Sequence, residues 1–205
     1  MRDVNPCGTV PALYDGGVGR YAVRGTYEDD NIGYHFIERY GEDSDLLPRD
    51  PAAQAAVRFF VAWVGSLDLV SAGMKLLFQK DREKAARDAA ALTSILRQVN
   101  ARMVEQSASG PFFLGETLTV ADIHLAPFLD RWESTLAFYR NYEVLPASDP
   151  ERSRLREMLA ACRERPAFQE TSQEGEYYIW AERRTRWNAN LVGEPWSEQP
   201  EMPRL

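Results

Sequence analysis

The sequence predicts an α+β chain in which a small strand-strand-helix unit, residues 1–44, is followed by an all-helical unit, residues 45–205. Three observations carry this reading. The first forty residues alternate short β-prone runs with Pro and Gly turns; apolar residues recur at three- and four-residue spacing almost everywhere after Pro51; and a polar turn, Glu42 to Asp45, separates the two patterns.

The opening segment runs from the Asn5-Pro6-Cys7-Gly8 turn through Thr9 to Tyr14, a glycine-rich turn at Asp15 to Gly19, and Tyr21 to Arg24, which fits a hairpin. From Asp30 the period changes. Ile32, Phe36, Ile37 and Tyr40 share a helical face, and Gly41 stops the helix. Asp50 and Pro51 then read as the cap and first position of a long helix carrying Val57, Phe60, Val61 and Val64. A second long helix carries Leu92, Ile95, Leu96, Val99 and Met103, with a break near Lys80-Asp81. A loop at Ser107 to Pro111 leads to a helix starting at Thr119. A further helix follows Asp149-Pro150 with Leu155, Met158, Leu159 and Cys162 on one face and ends at Pro166, and another spans Glu174 to Trp187.

Composition narrows the function. With 24 Lys and Arg against 31 Asp and Glu, the formal net charge is -7, and no basic run exceeds Arg183-Arg184, so nucleic acid is not expected as a partner. The longest unbroken apolar stretch, Phe59 to Val64, is far short of the roughly twenty residues a bilayer needs, so no membrane span is expected. Met1 to Asn5 lack an apolar signal region, and a cytoplasmic location is expected. Cys7 and Cys162 are the only cysteines and have no metal-ligand spacing, so no metal site is expected.

Leu118-Thr119-Val120-Ala121-Asp122-Ile123 is the clearest local signal. Thr119 as N-cap and Asp122 three residues on form a reciprocal capping box, and Leu118 can staple onto Ile123. A structural role for Asp122 follows, because backbone amides occupy its carboxylate. Val10-Pro11 falls inside a predicted strand, where proline signals either an ordinary trans turn or a cis bond that turns the Val10 backbone toward an extended peptide ligand. Glu28, Asp29, Asp30 and Asn31 at a helix start either cap it or hold the charged end of a small ligand. His35 and His124 sit between apolar neighbours and read as core or boundary residues, as Cys162 does. Tyr177, Tyr178, Trp180 and Trp187 read either as packing of the last helix or as the wall of a ligand site.

Four segments, Asn5 to Leu13, Tyr27 to Ile32, Leu46 to Pro51, and Gly110 to Gly115 through Ala121-Asp122, occur in the order of the cytosolic glutathione transferase family and together resemble it over most of the chain. Pro166 to Thr171 and the aromatic helix beyond it look most like the omega-like, thiol-dependent reductase branch. The resemblance implies a thioredoxin-like domain, here a partial one, joined to an all-α C-terminal domain, in a homodimer that uses glutathione or a related thiol as co-substrate against small electrophiles or disulfides. It implies a cis bond at Val10-Pro11, with the Val10 backbone gripping the cysteinyl part of glutathione. Glu28 and Asp29 match the residues that hold the γ-glutamyl end, although Asp29 stands where the family carries a serine, and a carboxylate cannot donate a hydrogen bond to the glutamyl carboxylate. Trp63, Tyr178 and Trp180 match the electrophile site. In the family a strand-helix-strand carrying the catalytic Tyr, Ser or Cys precedes the Asn-Pro turn, so the nucleophile is expected to lie outside this sequence. Cys7 is the one cysteine near the expected site. The alternative is a non-enzymatic binding or structural protein on the same scaffold.

Overall fold

The computed structural model describes residues 12–15, 19–22, 28–41 and 44–188. Strands β1 (Ala12–Asp15) and β2 (Gly19–Ala22) form an antiparallel hairpin in which Ala12 pairs with Ala22 and Asp15 with Gly19. Helix α1 (Glu28–Tyr40) follows, then α2 (Pro51–Ser66), α3 (Leu69–Phe78), α4 (Arg82–Gln106), α5 (Val120–Arg140), α6 (Ser153–Arg163), α7 (Pro166–Thr171) and α8 (Gly175–Asn188). A 3-10 turn at Pro150–Arg152 leads into α6.

The bundle is built around α5. Its Leu125, Leu129, Trp132 and Leu136 are buried against Val57, Phe60 and Val64 of α2, Leu76 and Leu77 of α3, and Leu155 and Leu159 of α6. The cap expected at the head of α2 forms: Asp50 Oδ2 accepts from the Ala53 amide at 2.7 Å, and Pro51 takes the first helical position, where its missing N–H costs nothing. Phe113 stacks on Phe60 with ring centroids 4.2 Å apart, seating the loop before α5 on α2.

Three expectations need correction. The first long helix is not continuous: it breaks at Leu67 and Asp68, and Asp68 adopts a left-handed conformation (φ 54°) that turns α3 away from α2. Leu67 and Asp68 end one repeat of the apolar pattern and begin another, so spacing alone cannot separate a bend from a continuous helix. Pro166 opens a helix rather than only closing one, because the first position of α7 needs no amide donor. In α1, Tyr34 and Ile37 pack on the core, whereas Phe36 and Tyr40, expected on the same buried face, are exposed.

By length and composition Pro51–Phe78 is long and apolar enough to cross a membrane, which an unbroken-run criterion does not detect. In the fold this stretch is two helices, and Val57, Phe60, Val61, Val64, Leu69, Leu76 and Leu77 face the shared core.

Candidate functional site

The start of α5 is fixed more firmly than any other helix end described. Asp122 is fully buried. Its Oδ2 accepts from the Thr119 amide at 2.9 Å and the Thr119 hydroxyl at 3.0 Å, and its Oδ1 accepts from the Phe113 amide at 2.7 Å. The expected capping box is present and carries this third donor from the preceding loop. Burial pushes the Asp122 carboxyl up to about 6 despite the donors, which pull the other way. The Val120 amide donates to the Leu46 carbonyl at 2.9 Å, tying the helix to the segment that follows α1.

This anchoring positions the exposed side of the first turns of α5. Ile123, 42% exposed, with His124, Pro127 and Phe128, faces the elbow formed by Val64, Gly65, Asp68 and Leu69. Gly33 of α1 completes a cavity of about 280 Å³. The His124 ring meets Phe128 edge-on at 6.5 Å. Helix α1 is held over α2 by Arg58, whose Nη2 donates to Glu38 Oε1 at 2.6 Å and whose guanidinium lies 4.6 Å from the Tyr34 ring centroid. The cavity thus sits where the strand-strand-helix segment meets the bundle.

A second cavity, about 330 Å³, shares Ile123 and Pro127 with the first and continues along Leu118, Asp130, Phe168 and Tyr178. Asp130 organises its polar end. Arg163 donates to Oδ1 at 2.8 Å through Nε and 2.6 Å through Nη2, and the Ser172 hydroxyl donates to Oδ2 at 2.8 Å. The Tyr178 hydroxyl reaches Oδ2 at 3.4 Å. Against desolvation, which pulls the other way, the Asp130 and Glu133 carboxylates hold the Arg163 guanidinium above its ordinary pKa.

The residues expected at the site are distributed as follows. Cys7, Val10 and Pro11 lie outside the described residues. Glu28 and Asp29 open α1, and the placement of their side chains also lies outside the described residues. Tyr178 lines the second cavity and not the first. Trp63, half-buried on α2, packs 5.9 Å from Phe60, and Trp180 lies 5.5 Å from Tyr177; neither lines either cavity. Of the two histidines, His124 lines the first cavity, while His35 packs beside Phe36 at 6.0 Å. Cys162 is buried, its Sγ is 3.7 Å from the Met158 sulfur, and burial pushes its thiol up to about 12. No cluster of three His, Cys, Asp or Glu residues suited to a metal ion occurs among the described residues.

Sequence reasoning did not single out Asp130 or the Asp68 elbow. A signal for Asp130 was available: it interrupts the apolar repeat of α5 at a buried position, where a carboxylate must find partners. No comparable signal marks Asp68.

The fold and these anchoring contacts define a class, an all-helical domain entered from a short strand-containing segment. A family model described as the glutathione S-transferase C-terminal domain matches residues 55–171, more than half of the chain. The chain belongs to the glutathione transferase family. It is similar to the crystal structure of glutathione transferase Omega 3C from Trametes versicolor, with 28% identity, a TM-score of 0.70, and coverage of 92% of this chain and 74% of that one. A dehydroascorbate reductase from Chlamydomonas reinhardtii matches at 25% identity and TM-score 0.63, covering 88% of this chain and 74% of that one. A trimeric glutathione transferase from Leishmania shares the fold at 24% identity and TM-score 0.70; the match covers 87% of this chain and spans 38% of the Leishmania protein.

Proposed function

We propose that this protein acts in omega-like glutathione chemistry, the transfer of a thiol or the conjugation of glutathione to small electrophiles or disulfides, as a cytoplasmic homodimer. The observation that carries the reading is the first cavity. It is apolar, it lies between α1 and the anchored start of α5, and α1 begins at Glu28 and Asp29, the residues assigned to the γ-glutamyl end of the thiol. In this reading residues 1–44 form a partial thioredoxin-like domain that binds glutathione through Val10, Pro11, Glu28 and Asp29, and residues 45–205 form the helical domain that supplies an electrophile wall extending beyond the lining of the first cavity, to which Trp63, Tyr178 and Trp180 are assigned.

Calorimetric titration of the chain with glutathione tests this. Asp29→Ser replaces a carboxylate with a hydroxyl that can donate to the glutamyl carboxylate, removing a like-charge contact, so it should tighten binding by about tenfold. No binding by either form refutes the assignment, and so does weaker binding by the serine variant.

A second reading, a glutathione-binding protein without turnover, is favoured by the state of the one cysteine among the described residues. Cys162 is buried and its pKa is raised to about 12, so it supplies no thiolate at neutral pH. Turnover by the chain alone should therefore stay near background. Rates on the order of 1 to 1000 per second would exclude the binding-only reading, and loss of that activity in Cys7→Ser would locate the nucleophile at Cys7.

A further inference from the structure

The first cavity holds a charge that its apolar walls do not explain. Among the described residues that line it, Asp68 is the only acidic side chain and His124 the only other titratable one, its ring turned edge-on to Phe128. Asp68 stands at the N-cap of α3, yet its carboxylate accepts no bond from that helix, and among the described residues it enters no ion pair or side-chain hydrogen bond. Ser71, three residues on, also lines the cavity, and among the described residues its hydroxyl has no hydrogen-bond partner. Both residues are exposed, so a ligand reaches them without moving the core. The first amides of α3 pull the other way, since a helix N-terminus draws anions. That dipole amounts to about half a positive charge, against a full negative charge on Asp68, so the polar corner of the cavity is negative. The formal net charge of -7 adds a long-range field of the same sign.

We propose that the electrophile or disulfide taken at this cavity carries an ammonium group: its apolar body lies against Leu69, Ile123 and Phe128, and its ammonium is held by the Asp68 carboxylate and the Ser71 hydroxyl. An ammonium offers three donors and no acceptor, which suits a carboxylate and a hydroxyl oxygen side by side on one helix turn. With a volume of about 280 Å³ the cavity lies at the small end of the range for ligand pockets, so the body is about one ring in size. The place of this ammonium in thiol chemistry rests on the reading of the first cavity given above; the ammonium site itself does not.

The test uses the full chain at neutral pH and three unreactive probes built on one ring, benzylammonium, benzyl alcohol and benzoate, titrated by ligand-observed NMR. The chain should bind benzylammonium about fivefold more tightly than benzyl alcohol, the scale of one partly exposed charge pair, and benzoate least. Asp68→Asn keeps a residue suited to the left-handed backbone and removes only the charge. It should bring benzylammonium within about twofold of benzyl alcohol and leave the alcohol unchanged; raising the salt to about 1 M should do the same. Gly33→Leu extends a side chain from the cavity wall, where an added Cβ meets no atom within 4 Å, and should weaken benzylammonium and benzyl alcohol alike. Ala167→Trp, at an exposed position on the wall of the second cavity, should leave all three affinities unchanged. Far-UV circular dichroism establishes that each variant keeps its helices. Equal affinity for benzylammonium and benzyl alcohol, tightest binding of benzoate, an amine preference that survives Asp68→Asn, or loss of amine binding in Ala167→Trp with retention in Gly33→Leu would each overturn the proposal. Titration with glutathione separates this site from the reading of the cavity. Glutathione binding without an amine preference overturns the ammonium site alone, whereas an Asp68-dependent preference without glutathione binding upholds the ammonium site and removes its place in thiol chemistry.

Discussion

Replacing Asp122 by Ala should be among the costliest single changes in the helical unit, and its cost should fall as pH rises. The substitution leaves two backbone amides, Phe113 and Thr119, without their acceptor in a region closed to water. Each orphaned amide costs about 1–3 kcal/mol, giving a loss of about 4 kcal/mol. The carboxyl itself works in the opposite sense at neutral pH. Its folded pKa of about 6 lies above the ordinary value of 3.8, so folding favours the protonated form. Below pH 4 this imposes no penalty. As pH rises through 6 the folded state must carry a buried charge, and the wild-type chain loses about 3 kcal/mol by pH 7, at about 1.4 kcal/mol per pKa unit. Alanine does not titrate. The destabilisation should therefore fall from about 4 kcal/mol below pH 4 to about 2 kcal/mol at pH 5 and about 1 kcal/mol at pH 7. Urea unfolding followed by circular dichroism at pH 5 and pH 7 measures the last two numbers. A cost under about 1 kcal/mol at pH 5, or one that grows between pH 5 and pH 7, would refute the reasoning.

Three further outcomes follow from the packing. Gly73→Ala would place a Cβ 2.2 Å from Trp132 Cζ2, and because the indole is buried the ring must shift; a loss of about 1–3 kcal/mol, read as a lower melting temperature, is expected. Arg140 donates to the Leu76 carbonyl at 2.8 Å and the Leu77 carbonyl at 2.6 Å, joining the end of α3 to α5, so Arg140→Met should cost about 1–3 kcal/mol in chemical unfolding. Cys162 should resist a thiol reagent at pH 8 in the folded protein and react at once in denaturant; labelling of a native Cys7→Ser variant at the rate of a free thiol would contradict its burial.

The sequence marked some features clearly because local chemistry decides them. Asp50-Pro51 announces the head of α2, and Thr119 with Asp122 announces the head of α5; both signals involve groups within four residues, and both form as expected. What was not legible depends on groups distant in sequence. The capping box predicts about 1 kcal/mol for Asp122, whereas the Phe113 amide nine residues earlier raises the stake, and nothing at residue 113 signals that its amide points there. The α2–α3 break belongs to the same class. The left-handed Asp68 fits between two apolar repeats without a Gly or Pro to mark it. The aromatic residues were legible as a group but not as a location: the docking of α8 on α5 turns Tyr178 toward Asp130, while Trp63 packs on Phe60 of its own helix.

That docking shows how the cavities depend on the core. Tyr139 of α5 donates to the Ile179 carbonyl at 2.8 Å, Arg131 pairs with the buried Glu182, and Gly175 approaches Ser134 so closely that an added Cβ would lie 2.5 Å from its Oγ. These contacts fix α8 along the C-terminal half of α5, while Asp122 fixes the N-terminal end. Between the two anchors lies Pro127. It has no N–H to donate to the Ile123 carbonyl, so the helix lacks one of its regular hydrogen bonds where Ile123 and Pro127 border both cavities. A proline here is tolerable because each end of α5 is held independently by buried partners. Weakening the Asp122 anchor should therefore disturb the cavity-facing surface of α5 before it disturbs the contacts of Trp132 and Leu136, which are secured from the other end.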